Sequence, residues 1–422
     1  MLVAQSLLGV VLIPLLAWGV GENRHQLSGR QALKIAAGGL AAQFSIAGVL
    51  LLVPQAQLLF ALIGALVHAL QEATLEGMRF VFGYLAGGPA PFAITEANNG
   101  FILAFHALPL ILLMSVLSRV LYYWGILPRV VQAIAWVLQR TLGVSGPLGI
   151  AAAAKVFLGM VEAPLLIRPY LAGLSRGELF TLMTIGMSTV AGTVFALYAA
   201  ILEPVVPGAA GHVLVASLIN VPAAILLTRL MMPQASGSGG PAASLVLDDG
   251  PASTMEAIAQ GTIDGLRLLA SVVAMLVVMV ALVALANALL GAAARPFGLV
   301  LTFQKILGIA AAPLAFLIGI PAAEAGQAGA LIGLKVILNE LLAYLELARL
   351  PEAALSPRSR LILTYALCGF ANFGSLGILV GGLSAMVPER RREIAELGLR
   401  SMLTGVLATL LSGAVVGTLI WK

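Results

Sequence analysis

The chain has 422 residues, of which 60% are hydrophobic and 10% charged, with a formal net charge of +5 and a mean hydropathy of +1.05. A soluble protein carries roughly 25% charged residues, so this composition excludes a soluble globular domain and indicates a polytopic membrane protein. The single cysteine, Cys368, excludes an intrachain disulfide framework and a cysteine-based metal site, and without a basic stripe interleaved with aromatics nucleic acid is not an expected partner.

An apolar run of about 20 residues crosses a bilayer. The first, Leu2 to Val20, lacks a basic leader and a small-residue cleavage site, and is expected to be a span rather than a signal peptide. Runs at 35–53, 101–124, 178–202, 210–232, 267–292, 360–386 and 394–421 bring the expected spans to eight. Segment 55–84 carries His68, Glu72, Glu76 and Arg79, and segment 129–141 is bounded by Arg129 and Thr141; both are expected to be amphipathic interfacial helices. The stretch 301–320, interrupted by Gly308 and Pro313, is expected to be an external helix. Gln234–Ser253 is a flexible cytoplasmic linker in which Asp248 and Asp249 sit on a solvated loop.

Segments 146–172 and 326–350 do not fit as spans. Glu162 sits in the largely apolar run 156–167 of the first and Glu340 in the largely apolar run 331–344 of the second. A carboxylate at membrane depth costs several kcal/mol and marks function. Both segments are too short to cross and return, so each is expected to be a re-entrant hairpin. A span interrupted by small residues follows each one, at Ile185–Val194 and Cys368–Gly377, and then a further span. Such an order, given twice, is the inverted repeat of alternating-access transporters. The expected fold is all-α, and its organisation is 1–145 scaffold spans and interfacial helices, 146–232 first repeat, 233–258 linker, 259–325 scaffold span and external helix, and 326–422 second repeat. The basic loop 21–34, with Arg24, Arg30 and Lys34, and the turn 388–393, with Arg390, Arg391 and Arg392, belong in the cytoplasm. Both termini then lie in the periplasm of a bacterial inner membrane, and the hairpins enter from opposite sides.

Several stretches resemble the concentrative nucleoside transporter family: Phe101-Ile102-Leu103-Ala104-Phe105 with Leu108-Pro109, Gly159-x-x-Glu162-Ala163-Pro164, Ala325-Gly326-Gln327-Ala328-Gly329, Asn339-Glu340 and Tyr365-Ala366-Leu367-Cys368-Gly369-Phe370-Ala371-Asn372-Phe373. The resemblance is dense over 100–204 and 301–419. It implies a homotrimer in the lipid bilayer that moves nucleosides inward with sodium or protons and uses no cofactor. It puts the nucleobase contacts on Met160, Val161 and Glu162, with Val194 on the first interrupted span. Ribose contacts fall on Glu340, Asn372 and Ser375, and Phe370 lines the same pocket. The chemistry agrees, because a carboxylate accepts two hydrogen bonds from vicinal hydroxyls while an amide both donates and accepts.

Four positions depart from the family pattern. Its Gly-Gln-Thr-Glu signature is here Gly159-Met160-Val161-Glu162, so two side chains able to read a base edge have become apolar. Either shape and Glu162 hold the base, or the substrate is another small polar solute, such as a modified nucleoside or a different hydroxylated heterocycle. The family's ion-ligating Asn is here Lys155. An ammonium cannot ligate sodium, but it can stand where the ion stands, with Thr189 and Val190 supplying the rest of that site; alternatively it snorkels to the interface. Coupling is accordingly expected to use protons rather than sodium. His106 replaces a Gln and is either a proton relay or a packing residue. Lys335, in the second hairpin, is expected to be structural. No H-E-x-x-H, G-x-S-x-G or phosphate loop supports an enzyme, and a passive channel is the remaining rival.

Overall fold

The computed structural model describes residues 2–22, 27–92, 102–233, 251–299 and 301–420. Asp248, Asp249 and most of the expected linker lie outside the described residues. The first two spans are α1, Leu2–Gly19, and α2, Gly29–Leu52, the latter opened by a reciprocal Ser28–Gln31 capping box. Helix α3, Pro54–Phe82, is unbroken over 29 residues. With hydropathy 1.7 it qualifies as a span by length and composition, whereas the sequence pattern places it at the interface. Its few charges include an Arg79–Glu76 pair one turn apart, 2.8 Å long, and Leu58, Leu62 and Leu66 line an exposed stripe. Pro109 splits the next run into α4, Leu103–His106, and α5, Leu110–Tyr123. Helix α6, Ile126–Leu142, is amphipathic as expected, burying Leu127, Val131, Ala135 and Leu138 at helical spacing.

The first hairpin ascends as α7, Gly146–Ala154, turns through 155–161, and returns as two single turns, α8, Glu162–Leu165, and α9, Arg168–Leu171. The following span is broken into α10, Arg176–Ser188, and α11, Gly192–Leu202, and α12, Ala209–Met231, completes the repeat. Helix α13, Thr254–Ala294, runs for 41 residues and packs mainly on α5. Next, α14, Phe303–Leu317, meets α15, Ala322–Ile337, at a bend of 116°. Because the bend falls before Ala322, the ascending arm of the second hairpin starts earlier than residue 326, and α14 packs along that arm. The hairpin returns as α16, Glu340–Arg349. The interrupted span follows as α17, Pro357–Leu367, and α18, Phe373–Met386, and α19, Arg391–Leu419, closes the described chain.

Helices α12 and α19 are buried along most of their lengths and form the centre of the bundle. The first two spans, grouped by sequence with a scaffold, pack here: α1 on α19 and α12, α2 chiefly on α12.

Loop charges sort to two ends. At one end Glu22 pairs with Arg400 and with Arg176, which also reaches Glu393 and Glu396. Arg390 donates to the carbonyls of Leu171 and Leu174 at the foot of the first hairpin, at 3.0 and 2.6 Å. At the other end Arg358 donates to the carbonyls of Ile420 and Gly417, and Ser356 to Glu324. There the buried Arg360 donates to the carbonyls of Leu347, Leu350, Pro351 and Leu355, capping the foot of the second hairpin. The hairpins therefore enter from opposite ends.

Arg360 supplies donors that no apolar side chain replaces. Arg360→Ala should destabilise the protein by about 3 kcal/mol, the scale of leaving buried carbonyls without a charged donor. Thermal and denaturant unfolding in detergent measure this, and an unmoved midpoint would show that the foot is held by packing alone.

Candidate functional site

Both hairpin tips meet a helix break. At the first, the Gly192 N–H donates to the Phe157 carbonyl at 3.1 Å. A Cβ on Gly192 would lie 2.7 Å from that oxygen, so only glycine allows the approach. Lys155 caps α7 and is 2% exposed, which rules out snorkelling to the interface. Its Nζ lies 3.4 Å from the Thr189 carbonyl in the break and 4.9 Å from the centre of the Phe370 ring. The Thr189 hydroxyl donates to Ile185 instead, at 2.8 Å, so the carbonyl is what Thr189 offers the lysine. Val190, next in the break, is buried.

Glu340 opens α16 and is 4% exposed. One carboxylate oxygen accepts from the Tyr198 hydroxyl at 2.6 Å, the other from Asn372 Nδ2 at 3.1 Å. Asn372 Oδ1 accepts from the Ser375 backbone N–H at 2.8 Å, capping α18. Ser375 thus joins the cluster through its backbone. Tyr198 was not singled out from sequence, although it sits four residues after the buried Val194, on the same face of α11. Its ring packs on Tyr344, 5.2 Å between centres.

Glu162 is exposed and accepts a hydrogen bond from the Gly159 N–H of its own turn. It lines a cavity of about 410 Å³ together with Leu158 and Arg168 of the hairpin, Thr193 of α11, Arg119 of α5 and Asp264 of α13. Glu340 does not line this cavity. Met160 is buried, and Val161 packs against Gly382 of α18. Lys335 is buried and donates to the Thr409 hydroxyl at 3.0 Å. The ring of His106 lies 3.1 Å from the Ile102 carbonyl within its own short helix. Among the described residues no cluster of His, Cys, Asp or Glu has the form of a metal site.

Three family models cover most of the chain: "Na+ dependent nucleoside transporter N-terminus" at 8–85, "Nucleoside recognition" at 104–205 and "Na+ dependent nucleoside transporter C-terminus" at 212–417. A Haemophilus influenzae "Uncharacterized transporter" is 37% identical over 100% of this chain and 98% of its own. The Helicobacter pylori "Nucleoside permease NupC" is 33% identical over 98% and 97%. The chain belongs to the concentrative nucleoside transporter family. A solved structure of the transporter CNTnw, inward-facing and substrate-bound, matches it with a TM-score of 0.87 at 35% identity over 99% of this chain and 98% of that one. A family of nucleoside permeases is a family of carriers, so this transporter is a multi-pass membrane protein and not an enzyme.

In this transporter the carboxylate of Glu340 is buried where α16 opens and is bonded to Tyr198 and Asn372. Glu340→Gln should weaken binding of a ribosylated ligand by about 1.5–3 kcal/mol, the usual worth of a charge-assisted hydrogen bond. Isothermal titration of the purified variant decides it, and unchanged affinity would remove ribose from the site.

Proposed function

We propose that this chain imports nucleosides or nucleoside-like solutes across a bacterial inner membrane by alternating access, without requiring sodium. Glu162 and the hairpin-1 tip take the base end, with Val194 and Phe370 as walls, and Glu340, Asn372 and Ser375 take the sugar. The two repeats move as the transport unit of a homotrimer, with both termini periplasmic. The carrying observation is Lys155, buried with its ammonium on the Thr189 carbonyl of the first break. A fixed cation there holds the break as an ion would. A second monovalent cation within ~4 Å would be repelled by about 4 kcal/mol at an effective dielectric of 20. Coupling then falls to protons rather than to sodium. This departs from the "Na+ dependent" description of the family at one position, and that position is the departure's only basis.

Uptake into proteoliposomes with choline replacing sodium, at several imposed pH gradients, tests the proposal. The expected rate with choline stays within about twofold of that with sodium, as a site already holding its cation requires. Steep sodium dependence with indifference to the pH gradient would return Lys155 to a structural role.

A second reading, a different small polar solute on the same fold, is favoured by the apolar pair at the first tip. Met160→Gln together with Val161→Thr should shift preference toward common nucleosides, read by competition binding across nucleosides, nucleobases and modified analogues. The parent's profile in that variant would show that both side chains only pack.

A further inference from the structure

One buried side chain touches both helix breaks. Asn220, on α12, is fully buried, and its Nδ2 donates to the Ser188 carbonyl and to the Cys368 carbonyl, each at 2.7 Å. Ser188 is the last residue of α10 and Cys368 caps α17. Both carbonyls belong to helix ends whose chains do not continue as helix, so neither has the donor that an intact span supplies. The two breaks also touch directly: a Cβ on Gly369 would lie 2.6 Å from the Ser188 oxygen.

The bonding fixes the amide's orientation. Turned over, Asn220 would set its own oxygen against two carbonyl oxygens; as placed, it spends both protons of one nitrogen. Oδ1 is buried and has no hydrogen-bond partner among the described residues. An amide kept in apolar surroundings with its acceptor idle is there for its donors. No smaller polar residue offers two donors from one atom, and Gln carries the amide one methylene further out.

The residues next to these carbonyls carry the proposed site. Thr189, which follows Ser188, holds Lys155. Phe370, two residues beyond Cys368, lies under the same ammonium, and Asn372 binds Glu340. We propose that Asn220 is a positioning residue that locks the two interrupted spans into one unit, so that the base half and the sugar half of the site form and open together. The lock rests on the reading of that site as the substrate site. It assigns Asn220 no contact with the ligand.

Hydrogen–deuterium exchange on the intact transporter, without substrate or sodium, tests the lock directly. In the unmodified chain, peptides covering 189–194 and 368–373 should exchange with the same opening rate and the same response to denaturant. In Asn220→Leu, which keeps the side chain's bulk, and in Asn220→Asp, which keeps its shape but loses the donors, both peptides should exchange at least tenfold faster. Peptides from α2 and α19 should be unmoved, and nucleoside affinity should fall at least tenfold. Breaks that open independently in the unmodified chain would overturn the proposal whether or not either variant folds. A variant in which one break alone loosens, or in which exchange rises along all of α12, would also overturn it. Failure of the unmodified chain to bind any nucleoside would instead count against the proposed function and leave the exchange comparison readable.

Discussion

An interrupted helix inside a membrane has to find partners for the backbone groups that the interruption exposes, because lipid supplies none. The structure is arranged around that demand at two places, 189–191 and 368–372. Gly192 gives its N–H to the first hairpin, Lys155 serves the Thr189 carbonyl, and Asn220 serves the last carbonyl of each broken half-span. Asn372 then caps the helix that resumes after the second break. The breaks are stable because hairpin tips and a central helix meet them, and the tips are held because the breaks receive them.

The same geometry governs the buried charges. Lys155, Lys335 and Glu340 are each under 5% exposed, and a buried charge without partners is among the most expensive features a fold can carry. Each has found polar company: Lys155 a carbonyl and an aromatic face, Lys335 a threonine hydroxyl, Glu340 a phenol and an amide. No salt bridge joins these groups among the described residues, so each is held by its own hydrogen-bond or ring partners.

Much of the fold was legible because membrane depth makes the sequence signals coarse. A carboxylate in an apolar run marked each hairpin, and small and polar residues, Gly, Ser and Thr at the first and Gly, Asn and Ser at the second, marked each break. The segment 129–141 marked an amphipathic helix, which the structure extends to Ile126–Leu142. The assignment of 55–84 to the interface rested on four titratable residues, and they are too sparse to keep a 29-residue helix below the hydropathy of a span. The sequence groups α1 and α2 with a scaffold by chain order; in the structure α1 packs on α19 and α12, and α2 chiefly on α12. Tyr198 and Asn220 were illegible for another reason. Their partners lie 142, 32 and 148 residues away, and no local pattern announces a contact that only the closed bundle creates. The reading of Lys155 turned on its depth, and only the structure, which leaves it 2% exposed, separates a tethered cation from an interfacial lysine.

On the proposed reading the site is divided unevenly. Its second-hairpin half is a bonded polar cluster, Tyr198, Glu340 and Asn372, already oriented before any ligand arrives. In the first-hairpin half Met160 is buried, Val161 packs on α18, and the carboxylate of Glu162 bonds its own turn. A polar site rejects a ligand that lacks the matching hydroxyl far more strongly than an apolar site rejects a change of shape, because only the former leaves buried polar groups unpaired. A site built this way discriminates sharply at the sugar and loosely at the base. On that reading the loss of two base-reading side chains moves the burden of recognition onto the bonded polar cluster of the second hairpin.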